Sequence, residues 1–338
     1  MKINNHQESN QFNFLRFFAA FIVFFGHTYI LLGMSPTTIF SHSLGVYIFF
    51  AISGYLISMS WAIDPSLFRF FIRRSIRIFP ALIVCILLSV FILGPIFTTL
   101  PIIEYFTHLA TIGYLKNIFL QISYYLPGVF EHNPAPNAVN GSLWSLPVEF
   151  LMYIFVAAIG LVFGKFYLKY IILIVFIVFL FFTKLWALET KDIIIIYGMD
   201  LKTIVYTGVY FWAGAFLYHF NVKKYFSFET FTIGFLVLIF IFQWPNIYSW
   251  ISYILIPFIV LSFGFSNSKY LSVFNKVDYS YGFYIYAFPV QQSLVYLYPN
   301  LSIYFHLIVG FIITCILASL SWHFIEKPVL KFKPKKIK

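Results

Sequence analysis

Residues 12–32 form a stretch of 21 residues that is almost entirely apolar. A helix of that length, at about 1.5 Å per residue, can cross the hydrocarbon core of a bilayer. The stretch nevertheless contains Arg16 and His27, 11 residues apart, which places them on one helix face and roughly 16 Å apart along the axis. Ionisable side chains inside a membrane usually face a bundle interior or an aqueous cavity, so the pair is a candidate functional site. In the alternative interpretation Arg16 extends to the headgroups and His27 only donates a hydrogen bond to a neighbouring helix.

The same apolar character recurs along the chain, which has 338 residues, 61% hydrophobic and 10% charged, and a mean hydropathy of +0.89. This composition excludes a soluble globular domain. We predict an all-α integral membrane protein with about ten transmembrane helices in one bundle. The bundle forms a single domain over residues 1–338, with spans within 12–324 and a short basic tail at 327–338. The predicted spans are residues 12–32, 44–61, 79–100, 143–163, 168–188, 203–219, 230–243, 250–265, 279–297 and 303–324.

The distribution of basic residues predicts the orientation of the bundle. With a cytoplasmic N-terminus, 17 of the 22 lysines and arginines fall in cytoplasmic segments and four in external ones, and Arg16 lies within the first span. This bias predicts that both termini are cytoplasmic, and it explains the net charge of +11 without a nucleic-acid partner. Cys85 and Cys315 both lie in apolar runs, which indicates neither a disulfide framework nor a metal site.

Residues 64–79 form a cytoplasmic connection with a basic face that Phe70 interrupts. We predict an amphipathic helix on the inner membrane surface, with Pro80 opening the third span. Paired guanidinium donors suit the phosphates of a nucleotide diphosphate. From these residues alone, however, anionic lipid is the favoured ligand. The basic face consists of Arg69, Arg73, Arg74 and Arg77.

A second long connection, residues 101–141, lies on the external side. At about forty residues it is too long for a passive link, so we expect it to fold over the outer mouth of the bundle. Its histidines, His108 and His132, and the external His42 show no spacing typical of metal ligands. We therefore interpret all three as ordinary polar residues.

Glu149 lies just inside the fourth predicted span, at about the predicted depth of His27. A carboxylate close to an imidazole holds its tautomer and raises its basicity, as a general base requires. Glu149 pairing with a lysine, or sitting protonated in a polar seam, is an equal alternative. Ser53, with the neighbouring glycine, permits close helix packing, which is the favoured interpretation over lining a passage. Trp144 is typical of an interfacial aromatic belt.

Six short motifs occur in order along the chain: R-x10-H in the first span, FFAISGYLIS, FIRRSIRIFP, NGSLWSLPVEF, DYSYGFYIYAFPVQQ and HFIEKPVLK. In this order and spacing they resemble the acyltransferase family 3 membrane proteins, which include bacterial O-antigen and exopolysaccharide O-acetyltransferases. Pro147 and Phe150 stand where many members carry serine and a second glutamate, which leaves Glu149 as the carboxylate of that motif. Some members continue into a secreted-type esterase domain after the last helix; we expect none in this protein, which would then act alone on its acceptor.

The resemblance implies a multi-pass enzyme of the bacterial inner membrane that moves an acetyl group from acetyl-CoA to a sugar hydroxyl. The acceptor would be a lipid-linked or polymeric glycan. Acetyl-CoA would be a co-substrate, with no bound cofactor and no metal. The lipid bilayer would be the other partner, with no role for nucleic acid.

The same resemblance implies roles for particular residues. His27 would remove the proton from the incoming hydroxyl, oriented by Glu149, and Arg16 would steady the CoA end of the path. Trp144 and Ser145 are the candidates on the acceptor side. The residues expected to bind the CoA donor are Arg73, Arg74, Arg77 and Ser53.

Two other functions are compatible with ten spans and buried charges. The first is a transporter or flippase of a lipid-linked sugar or an acyl donor. We find no paired halves with matching interrupted helices, which transporters built from repeats often show. The second is a structural membrane partner in a polysaccharide complex. Acyl transfer by the purified protein separates the enzyme from both.

Overall fold

The computed structural model describes residues 11–35, 41–188, 194–266, 271, 274 and 277–335. These ranges are mostly helical, with one short antiparallel hairpin of two strands, β1 (Ile195–Ile196) and β2 (Met199–Asp200). The α-helices are α1 (Phe12–Leu31), α2 (His42–Ile63), α3 (Leu67–Leu88), α4 (Gly94–Phe97), α5 (Ile102–Thr107), α6 (Leu109–Tyr114), α7 (Ser145–Leu188), α8 (Leu201–His219), α9 (Phe228–Ile241), α10 (Pro245–Phe265), α11 (Ser280–Leu297), α12 (Ile303–Ser321) and α13 (Lys327–Leu330).

The helices confirm a multi-pass membrane protein. Nine of the ten predicted spans coincide with a helix or with half of one, and the span at 79–100 covers the second half of α3, a π-helical turn and α4. Within the described ranges, six helical stretches are long and apolar enough to cross a membrane. They are Phe12–Leu31, His42–Ile63, Leu67–Phe97, Ser145–Trp186, Pro245–Phe265 and Ile303–Leu330. The number of ten crossings and the cytoplasmic termini stay predictions.

Helix α7 is a helical hairpin rather than one rod. Gly164 interrupts it with φ +58° and ψ −176°, a conformation that glycine adopts readily. In a straight helix Met152 and Phe179 would stand about 40 Å apart, yet both side chains approach the same backbone position, Gly208 of α8. The two halves of α7 therefore fold back beside each other, as the predicted spans at residues 143–163 and 168–188 require.

The prediction of a separate helix on the inner surface at residues 64–79 is wrong. Residues 67–79 form the first turns of α3, which continues through Pro80. Phe70 has 0% of its surface exposed and packs edge-on against Trp61, with ring centroids 5.2 Å apart. Phe70 is the residue that interrupts the basic face, and it is the anchor that draws this segment into the bundle.

The connection before α7 does not only cover the bundle but also descends into it. Leu126, Phe130 and Asn140 are completely buried. The Asn140 amide donates to the carbonyl oxygen of Ile285 in α11 at 2.8 Å. Non-helical backbone at membrane depth is tolerated where protein buries it and satisfies its polar groups, as it does here.

Helix α7 therefore begins in the protein interior. The Ser145 hydroxyl lies 2.7 Å from the Tyr284 hydroxyl, and Tyr284 is about 20 Å from the far end of α11 at Leu297. The sequence-based estimate placed the start of this span at the outer end of the bundle, whereas Ser145 lies about 20 Å from that end of α11. The depth inferred for Glu149 is wrong by the same amount.

Helix α2 packs tightly between α1 and α8. A Cβ atom at Gly54 would collide with the backbone carbonyl oxygen of Phe211 in α8, and one at Gly214 of α8 would collide with the carbonyl oxygen of Ala51. On the α1 side, a Cβ at Gly45 would meet the carbonyl oxygen of Ala19. Small residues that permit such backbone approach are typical of membrane helix interfaces.

Candidate functional site

Two cavities meet at α2. The first, which we call the arginine cavity, has a volume of about 290 Å³. The second, which we call the aromatic cavity, has a volume of about 400 Å³. Residues that define the arginine cavity are Arg16, Ser53, Arg73, Arg74, Arg77, Glu149, Asp278 and Lys333. Residues that define the aromatic cavity are His42, Tyr47, Tyr124, Trp144, Asp200, Thr203 and Tyr206.

One face of α2 forms a wall of both cavities. The α2 residues that line the cavities lie within an arc of about 180° of the helix. They are His42, Ser43, Val46, Tyr47, Phe49, Phe50, Ser53, Leu56 and Ile57. His42 lies in the aromatic cavity and Ser53 in the arginine cavity, while Val46 lines both. The two cavities therefore adjoin at Val46. The face of α2 from His42 to Ser53, which we call the α2 stripe, borders both of them.

Asp278 holds two arginines at the arginine cavity. It accepts a hydrogen bond from Arg77 at 2.5 Å, and its carboxylate lies 3.7 Å from the guanidinium of Arg16. Burial raises the pKa of Asp278, but Arg77 and Arg16 outweigh burial and hold it below its ordinary value. Sequence reasoning missed Asp278 although it opens the DYSYG motif. The signal available in the sequence was an acidic residue beside a predicted span, at the end of the bundle where several arginines lack an acidic partner nearby in the sequence.

Asp64 fixes the other end of the arginine cluster. Arg69 binds its carboxylate through two nitrogens, at 2.9 and 2.6 Å, and both terminal nitrogens of Arg73 donate to it at 2.8 Å. Hydrogen bonding from Arg69, outweighing burial, together with Arg73 holds the pKa of Asp64 well below its usual range. Arg73 therefore lines the cavity with its terminal nitrogens already occupied, and Arg69 is not among the residues that line it.

Arg74 is the arginine of the cavity that has no carboxylate partner among the described residues. Its terminal nitrogen donates to the Ser60 hydroxyl at 3.1 Å, and its Nε has no hydrogen-bond partner among the described residues. Lys333, which follows α13, lines the same cavity and was not predicted. In all, five cationic side chains and two carboxylates line the part of the cavity that the structure describes. The arrangement suits an anionic ligand.

Glu149 lies in the arginine cavity beside Ser53. It accepts hydrogen bonds from the Ser53 hydroxyl at 2.7 Å and from the Tyr153 hydroxyl at 2.6 Å. The packing role favoured for Ser53 from its local pattern alone is incomplete, because its hydroxyl also lines the cavity. Tyr153 was missed, although a tyrosine four residues after a glutamate lies on the same helix face and is a local signal.

His27 lies at the other end of the α2 stripe. Its side chain is 7% exposed, its ring centroid is 5.4 Å from that of His42, and its Nδ1 has no hydrogen-bond partner among the described residues. His42 and Ser53 are separated by 11 residues of α2, or roughly 16 Å. Glu149 therefore does not contact or orient His27, contrary to the sequence-based prediction. His42, interpreted from the sequence as an ordinary polar residue, is the side chain that lies beside His27.

The two predicted acceptor-side residues are split between the cavities. Trp144 lines the aromatic cavity. Ser145 lines the arginine cavity, where its hydroxyl lies 2.7 Å from that of Tyr284. The junction between the segment that enters the bundle and α7 thus contributes to both cavities.

Comparison with known proteins identifies relatives over most of the chain. A family described as an acyltransferase domain, Acyl_transf_3, matches residues 9–323. An O-acetyl transferase of Shigella phage Sf6 is 31% identical over 336 residues, which cover 96% of each chain. Nodulation protein 10 of Rhizobium leguminosarum bv. viciae is 34% identical over 166 residues, 45% of this chain and 44% of that one. No solved structure matches the chain.

Proposed function

The chain belongs to this acyltransferase family and is an acyltransferase, and on that premise we propose that it moves an acetyl group from acetyl-CoA to a hydroxyl of a cell-surface or lipid-linked glycan. The likeness to an O-acetyl transferase over nearly the full length of both chains supports oxygen as the accepting atom and acetyl as the transferred group. We place the protein in the bacterial inner membrane. The excess of basic residues at the arginine-cavity end supports a cytoplasmic opening for that cavity, on the side where CoA is available.

The arginine cavity is the proposed donor site. CoA carries phosphates, and guanidinium groups bind phosphate through paired, charge-assisted hydrogen bonds. Arg74 and Arg77 supply these groups, with Lys333 at the same cavity. Arg73 supports them indirectly because Asp64 occupies its terminal nitrogens. The arginines line a cavity rather than an open helix face. This arrangement favours a soluble phosphate ligand over a lipid headgroup.

The observation that carries the proposal is the continuous stripe of α2 from Ser53 to His42. A thioester at the end of the long CoA arm would pass Arg16 and Ser53 and reach the level of Val46, next to the histidine end. The hydroxyl oxygen of the acceptor then attacks the thioester carbonyl carbon, and the carbon–sulfur bond breaks. His27 takes the hydroxyl proton as general base and returns it to the CoA sulfur.

Glu149 has a different role from the one that the motif implied. Its carboxylate accepts from Ser53 and Tyr153, so it fixes two hydroxyl groups on the wall of the donor cavity. Arg16, held by Asp278, lines the same cavity. Both residues therefore serve the donor path, while His27 serves the transfer step.

Replacing His27 tests the proposal. Loss of a general base typically costs on the order of 10²–10⁴-fold in rate, so purified His27→Ala protein in liposomes should bind acetyl-CoA normally and transfer almost no acetyl groups to glycan. His306→Ala is the matched control, because His306 is a buried histidine of α12 that lines neither cavity. Transfer by His27→Ala at the rate of the His306→Ala control would refute the assigned base.

A further inference from the structure

We infer that the aromatic cavity binds the acceptor saccharide and that His42 contacts the acceptor there. The inference rests on the proposed function and adds the location and chemistry of its second substrate. The cavity lies at the histidine end of α2, opposite the donor cavity, and the two share Val46. A second substrate bound here would face the donor across that one residue.

The side chains of the cavity suit the faces of a sugar ring. Tyr47, Tyr124, Trp144 and Tyr206 line it, and all four retain exposed surface. An aromatic ring offers a large apolar face together with a polar edge, and pockets for small molecules are mainly apolar or aromatic with a few polar groups. Tyr47 is held in place by stacking on Tyr210, with ring centroids 4.1 Å apart at an interplanar angle of 16°.

The charge of the cavity excludes the ligands that suit the donor site. Among the described residues that line it, no lysine or arginine occurs and Asp200 is the carboxylate. Asp200 caps α8 by accepting from the backbone N–H of Lys202 at 3.0 Å. A carboxylate has about four acceptor positions, so capacity remains for ligand hydroxyl groups. A neutral polyhydroxy ligand fits this combination, and a phosphate group does not.

His42 links the cavity to His27. It lines the cavity, which His27 does not, and the two imidazole centroids are 5.4 Å apart. The Nδ1 atoms of both rings are buried without a hydrogen-bond partner among the described residues. An acceptor hydroxyl in the cavity therefore meets His42 first, and His42 directs it toward the transfer step.

Three substitutions test this assignment. Thr203→Trp fills the cavity, and Thr107→Trp is its control at an exposed threonine that lines neither cavity. Asp200→Asn removes the charge but keeps a good helix cap. The probe is surface polysaccharide from the bacterium in which the protein occurs, freed of lipid and de-O-acetylated with mild base. Purified proteins in liposomes are assayed for acetylation of this polysaccharide and, separately, for acetyl-CoA binding by calorimetry.

We expect Thr203→Trp to lose most acetylation while its affinity for acetyl-CoA and that of Thr107→Trp match the parent. Asp200→Asn should raise the apparent KM for polysaccharide about tenfold, the loss expected for hydrogen bonds to a charged group, with kcat unchanged. If Thr203→Trp fails to fold, Asp200→Asn decides alone. Unchanged polysaccharide dependence in Asp200→Asn, or in a folded Thr203→Trp, would overturn the inference. A parent protein that binds no acetyl-CoA would instead refute the proposed function itself.

Discussion

The two cavities differ in charge although the same helix face forms a wall of each. The arginine cavity combines five cationic side chains with two carboxylates, while the aromatic cavity presents four aromatic side chains and Asp200. The contrast indicates how one membrane helix could serve an anionic ligand at one end and a neutral ligand at the other. Aromatic side chains line both cavities, but the basic groups gather at one end only, and Val46 lies where the two environments meet.

The largest expected effect concerns the side of the membrane to which each cavity opens. Single cysteines replacing His132 and Lys335, in a Cys315→Ala background, should react with an impermeant thiol reagent from opposite sides of the membrane. Both positions are exposed, whereas the neighbouring Asn133 is buried and hydrogen-bonded to Gln292. In intact cells only the cysteine at 132 should be labelled. Labelling of both would place the two cavities on one side and overturn the predicted topology.

The next-largest effect tests whether the two substrates meet at Val46, where the two cavities adjoin. Val46→Phe should obstruct the meeting point of the cavities and lower transfer on the order of 100-fold, because a displacement of about 1 Å at a reacting centre can cost that much. Acetyl-CoA affinity should not change. Ile48→Phe is the matched control: Ile48 is equally buried on α2 but lines neither cavity. Equal activity of the two variants would show that the substrates do not meet at Val46.

A smaller effect distinguishes two arginines of α3. Arg74→Ala should raise the KM for acetyl-CoA about tenfold through loss of a charge-assisted hydrogen bond, and Arg74→Lys should restore affinity only in part. Arg69→Ala should leave KM unchanged, because Arg69 binds Asp64 and does not line the cavity. Initial rates across acetyl-CoA concentrations measure both. Parallel changes in the two variants would indicate a general effect of surface charge.

The smallest effect tests whether Glu149 belongs to the donor cavity. Glu149→Gln keeps one acceptor for the hydroxyls of Ser53 and Tyr153, so we expect a loss of several-fold in turnover. The midpoint of the pH–rate profile should stay where it is in the parent, since Glu149 does not contact His27. A shifted midpoint would show that the carboxylate acts on the general base after all.

The helices were predictable from local sequence patterns. The positions of the site residues depend instead on contacts between residues that are far apart in the sequence. Hydropathy was sufficient to place α1 and to single out Arg16 and His27, because a buried charge in an apolar stretch is visible in any single segment. The depth of Glu149 was not predictable, since it depends on Asn140 reaching Ile285, 145 residues away. The pairing of Asp278 with Arg77, 201 residues away, is non-local in the same way.

The reciprocal glycine contacts between α2 and α8 limit how the protein can work. Because Gly54 and Gly214 bring the two backbones together, sliding or rotating α2 against α8 would drive carbonyl oxygens into the neighbouring helix. Helix α2, which forms the shared wall of the two cavities, is therefore expected to keep a fixed position against α8. A transporter that opens alternately to the two sides of the membrane needs one group of helices to move against another. An enzyme whose two substrates meet at Val46 does not need α2 to move. Substrates must move past α2, by rotation of side chains such as that of Val46, while the helix itself stands still.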